Sequence, residues 1–313
     1  MLLLAGETLD VLPGETVLDC LVRHQVEVKS GCKAGACQSC LVRTNNVPPA
    51  KSQKGLRQDL IDRGYFMSCQ CSADELAEIE LADTEVFPSY EANLIQVDQL
   101  APNIFRYWLS PESPIPFRLG QFVKLKYHAV ERCYSIAEER DGMLGFHVRL
   151  IEDGAMSLLL RHAKQGGSFT ITGPLGNCSY QAKSKEQPLL LVGSSTGLAP
   201  LYGILKDALC AGHSGPIALY HGAADATGIY LQSELLQLAD NHPNFSYVPC
   251  TDVEQDEFRT GSPVTISLSD LPDLTGYQVY ICGNPAMSRA MQKKAFLAGA
   301  NLADLFMDPF EAQ

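Results

Sequence analysis

Three rhythms of apolar and polar positions follow one another along the chain. Residues 8–30 first alternate and then turn helical, with a helix start at Gly14-Glu15-Thr16-Val17-Leu18-Asp19 and an apolar stripe at Leu18, Leu21 and Val22. A short Leu41-Val42-Arg43 strand, a Pro48-Pro49 turn and a polar stretch ending at Gly64 come next. Asp74, Glu75, Glu78, Glu80, Asp83 and Glu85 then mark an acidic segment, either a solvated edge or a rim that steers a basic partner. Beyond Pro88 the chain breaks into short alternating segments, at 93–97, 105–109, 122–127, 144–150 and 168–171, with one helical pattern at 155–162. Strands at this spacing, parted by Gly and Pro turns, predict a small antiparallel barrel. From Gln187 continuous apolar runs take over, at 188–192, Ile217–Tyr220 and Val279–Cys282. A helical stretch follows each of them, through Leu209, at Leu231–Leu238 and at Met287–Leu297. That pattern predicts an open parallel α/β sheet, with ligand at the carboxyl ends of its strands. The expected class is therefore multidomain α+β and α/β, divided at 1–88, 89–183 and 184–313.

Composition narrows the function. The chain has 313 residues, 46% of them hydrophobic, and a formal net charge of -12, which argues against nucleic acid and anionic membrane surfaces as partners. The opening Met-Leu-Leu-Leu-Ala-Gly-Glu has no basic region ahead of its short apolar run, and nothing later is long enough to span a membrane. Eleven cysteines, scattered except in one loop, suggest a reducing compartment rather than a disulfide framework, so the cytoplasm is the expected location.

That one loop carries the first candidate chemistry. Cys32, Cys37 and Cys40 follow the C-x4-C-x2-C spacing of plant-type [2Fe-2S] centres, with Gly31 and Gly35 able to turn backbone N–H groups toward sulfides. A fourth thiolate must come from Cys69, Cys71 or Cys133. Zinc fits less well, because its sites pair two knuckles, and three buried free thiols in nine residues would be an odd way to fill a core. A second candidate lies at Gly193-Ser194-Ser195-Thr196-Gly197, between a predicted strand and a predicted helix. This is also a G-x-S-x-G, and a hydrolase built on Ser195 would draw on His213, His221 or His242 downstream; Pro200 and the redox module upstream weigh against it.

Several segments resemble one family. The start of the chain is similar to the strand, hairpin and helix of the ferredoxin β-grasp fold, and Gly64-Tyr-Phe-Met-Ser-Cys-Gln70 resembles the segment that carries the fourth ligand there, which favours Cys69 over Cys71. Gly120-Gln121-Phe122, Arg132-Cys133-Tyr134-Ser135, Gly154-Ala155-Met156-Ser157 and Gly173-Pro174-Leu175-Gly176 look, in this order, like the flavin domain of the ferredoxin-NADP reductase superfamily. Gly193 to Gly197 resembles the nucleotide turn of the same enzymes, and Cys282-Gly283-Asn284-Pro285 their Cys-Gly-x-Pro motif. In this order the three modules resemble the reductase components of bacterial multicomponent oxygenases, and also reductases of nucleotide-sugar deoxygenation.

The resemblance implies FAD, NADH and a [2Fe-2S] cluster as cofactors, and electron flow from NADH through FAD and the cluster to a separate acceptor protein, an oxygenase, from a monomeric reductase. It implies Cys32, Cys37, Cys40 and Cys69 as metal ligands, Ser135 beside the flavin N5 and Cys282 near the nicotinamide. The flavin would meet Arg132 and Tyr134 on one strand face, His147 and Arg149 on another, and Gly154, Ala155, Met156 and Ser157 at a helix start. The nucleotide would meet Gly193, Thr196, Gly197, Gly283 and Pro285. Asp225, about twenty residues past the Gly-rich turn in a stretch without Lys or Arg, implies NADH rather than NADPH. A redox sensor without turnover would use the same cofactors. Gln38 and Asn284 depart from common family residues, and the ending Leu305 to Phe310 has no clear counterpart.

Overall fold

The computed structural model describes every residue except 29–32, 34, 36, 37, 83–85, 255 and 311–313. The chain divides into two compact units, Met1–Pro88 with Leu175–Asn177, and Ser89–Pro174 with Cys178–Gln313.

In the first unit, strands β1 (Leu2–Leu4), β2 (Glu7–Leu9), β3 (Leu41–Arg43), β4 (Tyr65–Met67) and β5 (Glu78–Leu81) form one sheet in the order β2-β1-β5-β3-β4. The β1–β5 pair is parallel and the others are antiparallel. Helix α1 (Val17–Arg23) starts where the sequence pattern put it, because the Thr16 hydroxyl accepts from Asp19 N–H at 3.1 Å and caps the first turn. It buries Val17, Cys20 and Leu21 against Leu2, Val42, Phe66 and Ile79, and Leu18 against Leu41, Tyr65 and Met67. Val22 is not in that stripe: it is 51% exposed, since one step of about 100° past Leu21 carries it off the buried face. A short helix α2 (Gln58–Asp62) precedes β4.

The second unit holds two sheets. The first has seven strands, β6 (Ser89–Ala101), β7 (Ile104–Pro111), β8 (Phe122–Tyr127), β9 (Val130–Ser135), β10 (Glu138–Arg140), β11 (Met143–Arg149) and β12 (Ser168–Leu175), in the order β10-β11-β7-β6-β12-β8-β9. It wraps a core that includes Leu94, Leu109, Val123, Phe146 and Ile171, and helix α3 (Ala155–Leu160), two residues shorter than expected, adds Met156 and Leu160.

The other is the parallel sheet. Its elements are β13 (Leu189–Ser194), α4 (Leu198–Cys210), β14 (Ile217–Ala223), α5 (Gln232–Asn241), β15 (Phe245–Thr251), β16 (Arg259–Thr260), α6 (Pro263–Asp270), β17 (Gln278–Gly283), α7 (Pro285–Leu297) and β18 (Leu305–Pro309). The order β16-β15-β14-β13-β17-β18 reverses direction at β13, so the crevice at the carboxyl ends of β13 and β17 is the switch point where such sheets take ligands. Leu189 to Val192 are fully buried because one face of β13 meets the α4 side and the other the α6 and α7 side. The apolar runs did not reveal β15, β16, α6 or β18. In β15, Pro249 breaks the pattern; it lies just before Cys250, where pairing with β16 begins, so β14 is its only neighbour and a missing donor is tolerated.

Helix α4 meets the end of the antiparallel sheet through two glycines. A Cβ on Gly203 would lie 2.9 Å from Leu119 Cβ and 3.0 Å from the Ala137 carbonyl, and one on Gly120 would lie 2.4 Å from the Cys178 carbonyl. Gly203→Ala gains about 1 kcal/mol of helix propensity but must push backbone apart, at about 1–3 kcal/mol. The expected result is a lower urea midpoint, and a variant as stable as the parent would show that the two sheets can part here without cost.

Candidate functional site

In the first unit, residues from two distant segments converge. Cys40 and Cys69 lie in one apolar cluster with Leu18, Leu41 and Met67. Ser68 ties their segments together, since its N–H and its hydroxyl both donate to the Cys40 carbonyl, at 3.0 and 2.8 Å. Cys71 belongs to the other cluster, beside Val17, Leu21 and Phe66, and burial pushes its thiol up to about 12. Gly35, with φ +76, approaches so closely that a Cβ would lie 2.8 Å from Gln70 Cγ. Cys32 and Cys37 lie outside the described residues. Gln38 takes a left-handed φ of +54 and donates from Nε2 to the Gly55 carbonyl at 2.8 Å, so it holds a conformation that glycine would adopt freely. The acidic segment is partly neutralised: Arg43 pairs with Glu80, and Lys51 with Glu75.

In the antiparallel sheet, β9 brings Arg132 and Tyr134 to one face, as strand alternation requires. Ser135 points the other way, is 5% exposed, and donates from Oγ to Asp308 Oδ2 at 2.8 Å. Asp308 comes from β18, in register with Cys282 of β17. Cys282 is fully buried, with its Sγ 3.6 Å from Cys178 Sγ, and burial raises its thiol well above the ordinary range. Sequence reasoning missed Asp308. The apolar run Leu305-Phe306-Met307 ahead of it was the available cue, but no local pattern says which strand β18 joins.

The residues at 147 and 149 have different surroundings. Both side chains leave β11 on the same side, but His147 is enclosed, its Nε2 2.9 Å from Glu138 Oε1 and its Nδ1 3.3 Å from the Tyr230 hydroxyl. The His147 side chain is thus held between Glu138 and Tyr230. Arg149 is exposed and reaches the turn after β13, with Nη1 3.4 Å from Ser195 Oγ. At the start of α3, Met156 is in the core, Ala155 is exposed, and the Ser157 hydroxyl accepts from Ile151 N–H at 3.0 Å, closing the loop around Gly154.

At the switch point two motifs 90 residues apart form one corner. The Ser194 hydroxyl accepts from Asn284 N–H at 3.0 Å. A Cβ on Gly197 would lie 2.2 Å from the Cys282 carbonyl, and one on Gly283, with φ +116, would lie 2.6 Å from Ser194 Oγ. Gly193 packs on Leu201, and Pro285 opens α7 behind the Asn284 cap. Thr196 is half-buried in the turn. Asp225 lies just past β14 and accepts from Thr227 N–H and hydroxyl at 2.9 and 2.5 Å. Those bonds hold its carboxyl below the usual range, and the charge of Arg149 adds to them. A cation from another strand, Arg149, thus acts on this stretch without Lys or Arg, weakly.

Among the described contacts no hydrolase triad forms at Ser195. The described contact of the Ser195 hydroxyl is with Arg149, while His221 faces the Ser195 carbonyl at 3.0 Å and His213 pairs with Tyr180 at 3.1 Å. Among the described residues no helix is long and apolar enough to cross a membrane.

Comparison with known proteins covers nearly the whole chain. Residues 4–74 match the family model of the 2Fe-2S iron-sulfur cluster binding domain, 91–180 the oxidoreductase FAD-binding domain, and 191–293 the oxidoreductase NAD-binding domain. The chain is 29% identical over 304 residues to the reductase subunit of an aromatic O-demethylase from an Amycolatopsis species, covering 91% of this chain and 90% of that one. It is 30% identical over 295 residues to the ferredoxin–NAD(P)(+) reductase component of the naphthalene 1,2-dioxygenase/salicylate 5-hydroxylase systems of a Ralstonia species, covering 89% and 88%. The crystal structure of an Amycolatopsis cytochrome P450 reductase aligns with a TM-score of 0.72 at 27% identity over 99% of this chain and 98% of that one.

Two buried histidines generate a pH prediction. Burial holds His221 down at about 4 and His147 below its ordinary range, so both are neutral in the folded protein. The unfolded chain takes up these protons first as pH falls below ~6.5, so stability should be lost between ~6.5 and ~4, by about 3 kcal/mol for His221 alone. Urea midpoints at about pH 7 and about pH 4.5 check this: the drop should be smaller in His221→Phe, and an equal drop in both proteins would contradict it.

Proposed function

Because this chain belongs to the three-domain iron–sulfur flavoprotein reductases of the ferredoxin–NAD(P)H reductase superfamily, the type that serves multicomponent oxygenases, we propose that it takes electrons from NADH and passes them by FAD and a [2Fe-2S] cluster to a separate oxygenase component. The observation that carries this reading is the corner where Ser135, Asp308 and Cys282, from two different sheets, meet beside the nucleotide turn. When bound, FAD and the cluster supply the chemistry, coupling a two-electron donor to one-electron delivery.

The residues present fit these groups. In residues 1–88, Cys40 and Cys69 lie in one dry cluster next to the tight Gly35 approach, as a thiolate-held cluster needs, and Cys32 and Cys37 complete the set. In residues 89–183, Tyr134 offers a ring face, Arg132 a counter-charge, and the Gly154–Ser157 loop a helix start. The Ser135 hydroxyl donates its hydrogen bond to the Asp308 carboxylate, so what its oxygen offers outward is lone pairs: it can accept from an N–H group. His147 braces β11 through Glu138 and Tyr230. In residues 184–313, Gly193, Thr196, Gly197, Gly283 and Pro285 shape the dinucleotide crevice, Cys282 backs it, and Arg149 brings positive charge to its phosphates. The chain is read as a cytoplasmic monomer.

Ligation is tested by paired substitutions. Cys71→Ser is expected to leave the reddish-brown absorbance intact and Cys69→Ser to abolish it; the reverse result would mean that the wrong cysteine has been assigned.

The nucleotide and the direction of flow are tested together. A 2′-phosphate beside the ionised Asp225 meets repulsion and forgoes a charge-assisted bond of about 1.5–3 kcal/mol, so NADH should be preferred by at least roughly tenfold in kcat/KM. Cys37→Ser should stop reduction of one-electron protein acceptors while dye reduction by NADH continues. A nucleotide ratio near one would place Arg149 on the 2′-phosphate instead, and equal loss of both activities would count against the order of carriers. Oxygen uptake with purified oxygenase components identifies the acceptor.

A further inference from the structure

We propose that His221 is a positioning residue for the dinucleotide: from β14 it holds the Ser195 carbonyl and so sets the left-handed corner of the nucleotide turn. The inference rests on reading Gly193 to Gly197 as that turn.

Ser195 has a φ of +52, which a residue with a side chain keeps only when its surroundings impose it. What imposes it is visible. The His221 ring is fully buried, and its Nε2 lies 3.0 Å from the Ser195 carbonyl oxygen. A carbonyl only accepts, so Nε2 carries the hydrogen; Nδ1, 3.3 Å from the Tyr247 hydroxyl, is then the acceptor, and the tautomer is fixed. Tyr230 meets the ring edge to face at 5.5 Å and prevents it from tipping. The same Ser195 oxygen also accepts from the Leu198 N–H that opens α4. One peptide group thus fixes both the corner and the first turn of the helix, and with them the direction in which the N–H groups ahead of α4 point. From the other side the corner is stopped by the Cys282 carbonyl against Gly197. The role differs from that of Arg149, which touches the Ser195 hydroxyl from outside.

The test uses the full chain loaded with its cofactors and follows NADH oxidation with ferricyanide as acceptor. His221→Phe keeps an aromatic ring against Tyr230 but cannot donate. KM for NADH should rise about tenfold, the worth of one net hydrogen bond, while kcat stays within about twofold. His221→Gln restores an N–H group and should recover most of the loss. A purely structural role would not predict the decisive result, which comes from Ser195→Gly. Glycine takes the left-handed conformation freely, so in that background His221→Phe should cost much less. An unchanged KM in His221→Phe, or an equal rise in both backgrounds, would overturn the proposal. A parent chain that oxidises no NADH would sink the reductase reading and this inference with it; a normal parent beside an unaffected His221→Phe would sink this one alone.

Discussion

How closely the turn after β13 can approach the end of β17 governs everything else at the site. With no side chain at Gly197, its backbone rests on the Cys282 carbonyl, and with none at Gly283, the next turn receives Ser194 in return. This double contact makes one crevice out of two motifs that the chain separates widely. It also fixes where β17 ends, and therefore where its neighbour β18 presents Asp308. From Asp308 the constraint passes to Ser135 in the antiparallel sheet. A methyl group at Gly197 would meet backbone rather than a flexible side-chain end, so it would be felt along this whole line.

The contact between the two sheets of the second unit includes a polar network near the site. Arg106 sits between Asp98 and Glu138, and Glu138 also receives His147, whose other nitrogen meets Tyr230 from the connection between β14 and α5. His147 is the fully enclosed member of this network, so losing its partner Glu138 would be the costly break. The network orients β11 so that Arg149, two residues on, comes out on the nucleotide side.

What the sequence showed and what it hid divide by the range of the interaction. Alternation in β8 and β11, the Thr16 cap and the spacing of Cys32, Cys37 and Cys40 are local, and they could be read directly. So could the succession of three modules, from the change in apolar rhythm near Pro88 and Gln187. The misses are non-local. His147 and Arg149 follow the same alternation, yet one is enclosed and the other exposed because Tyr230, eighty-three residues away, covers only the first. Asp308 has no local signature, and Pro249 masked a strand whose position beside a two-residue neighbour makes the proline harmless. The cation near Asp225 was sought in its own domain, whereas the fold supplies it from across the sheets.

Ser135 and Asp308 are separated by 173 residues. During synthesis at 5–20 residues per second, the serine waits roughly ten to thirty seconds after leaving the ribosome before its carboxylate exists. For that interval the antiparallel sheet can fold around its own core, but the hydroxyl on which the site turns has no fixed direction. The first unit is complete in sequence by Pro88 except for Leu175–Asn177, which follow 87 to 89 residues later, so its wait is about half as long. The chain therefore holds every residue of the first unit before it holds the strand that gives Ser135 its partner, and the hydroxyl takes its direction only as β18 docks.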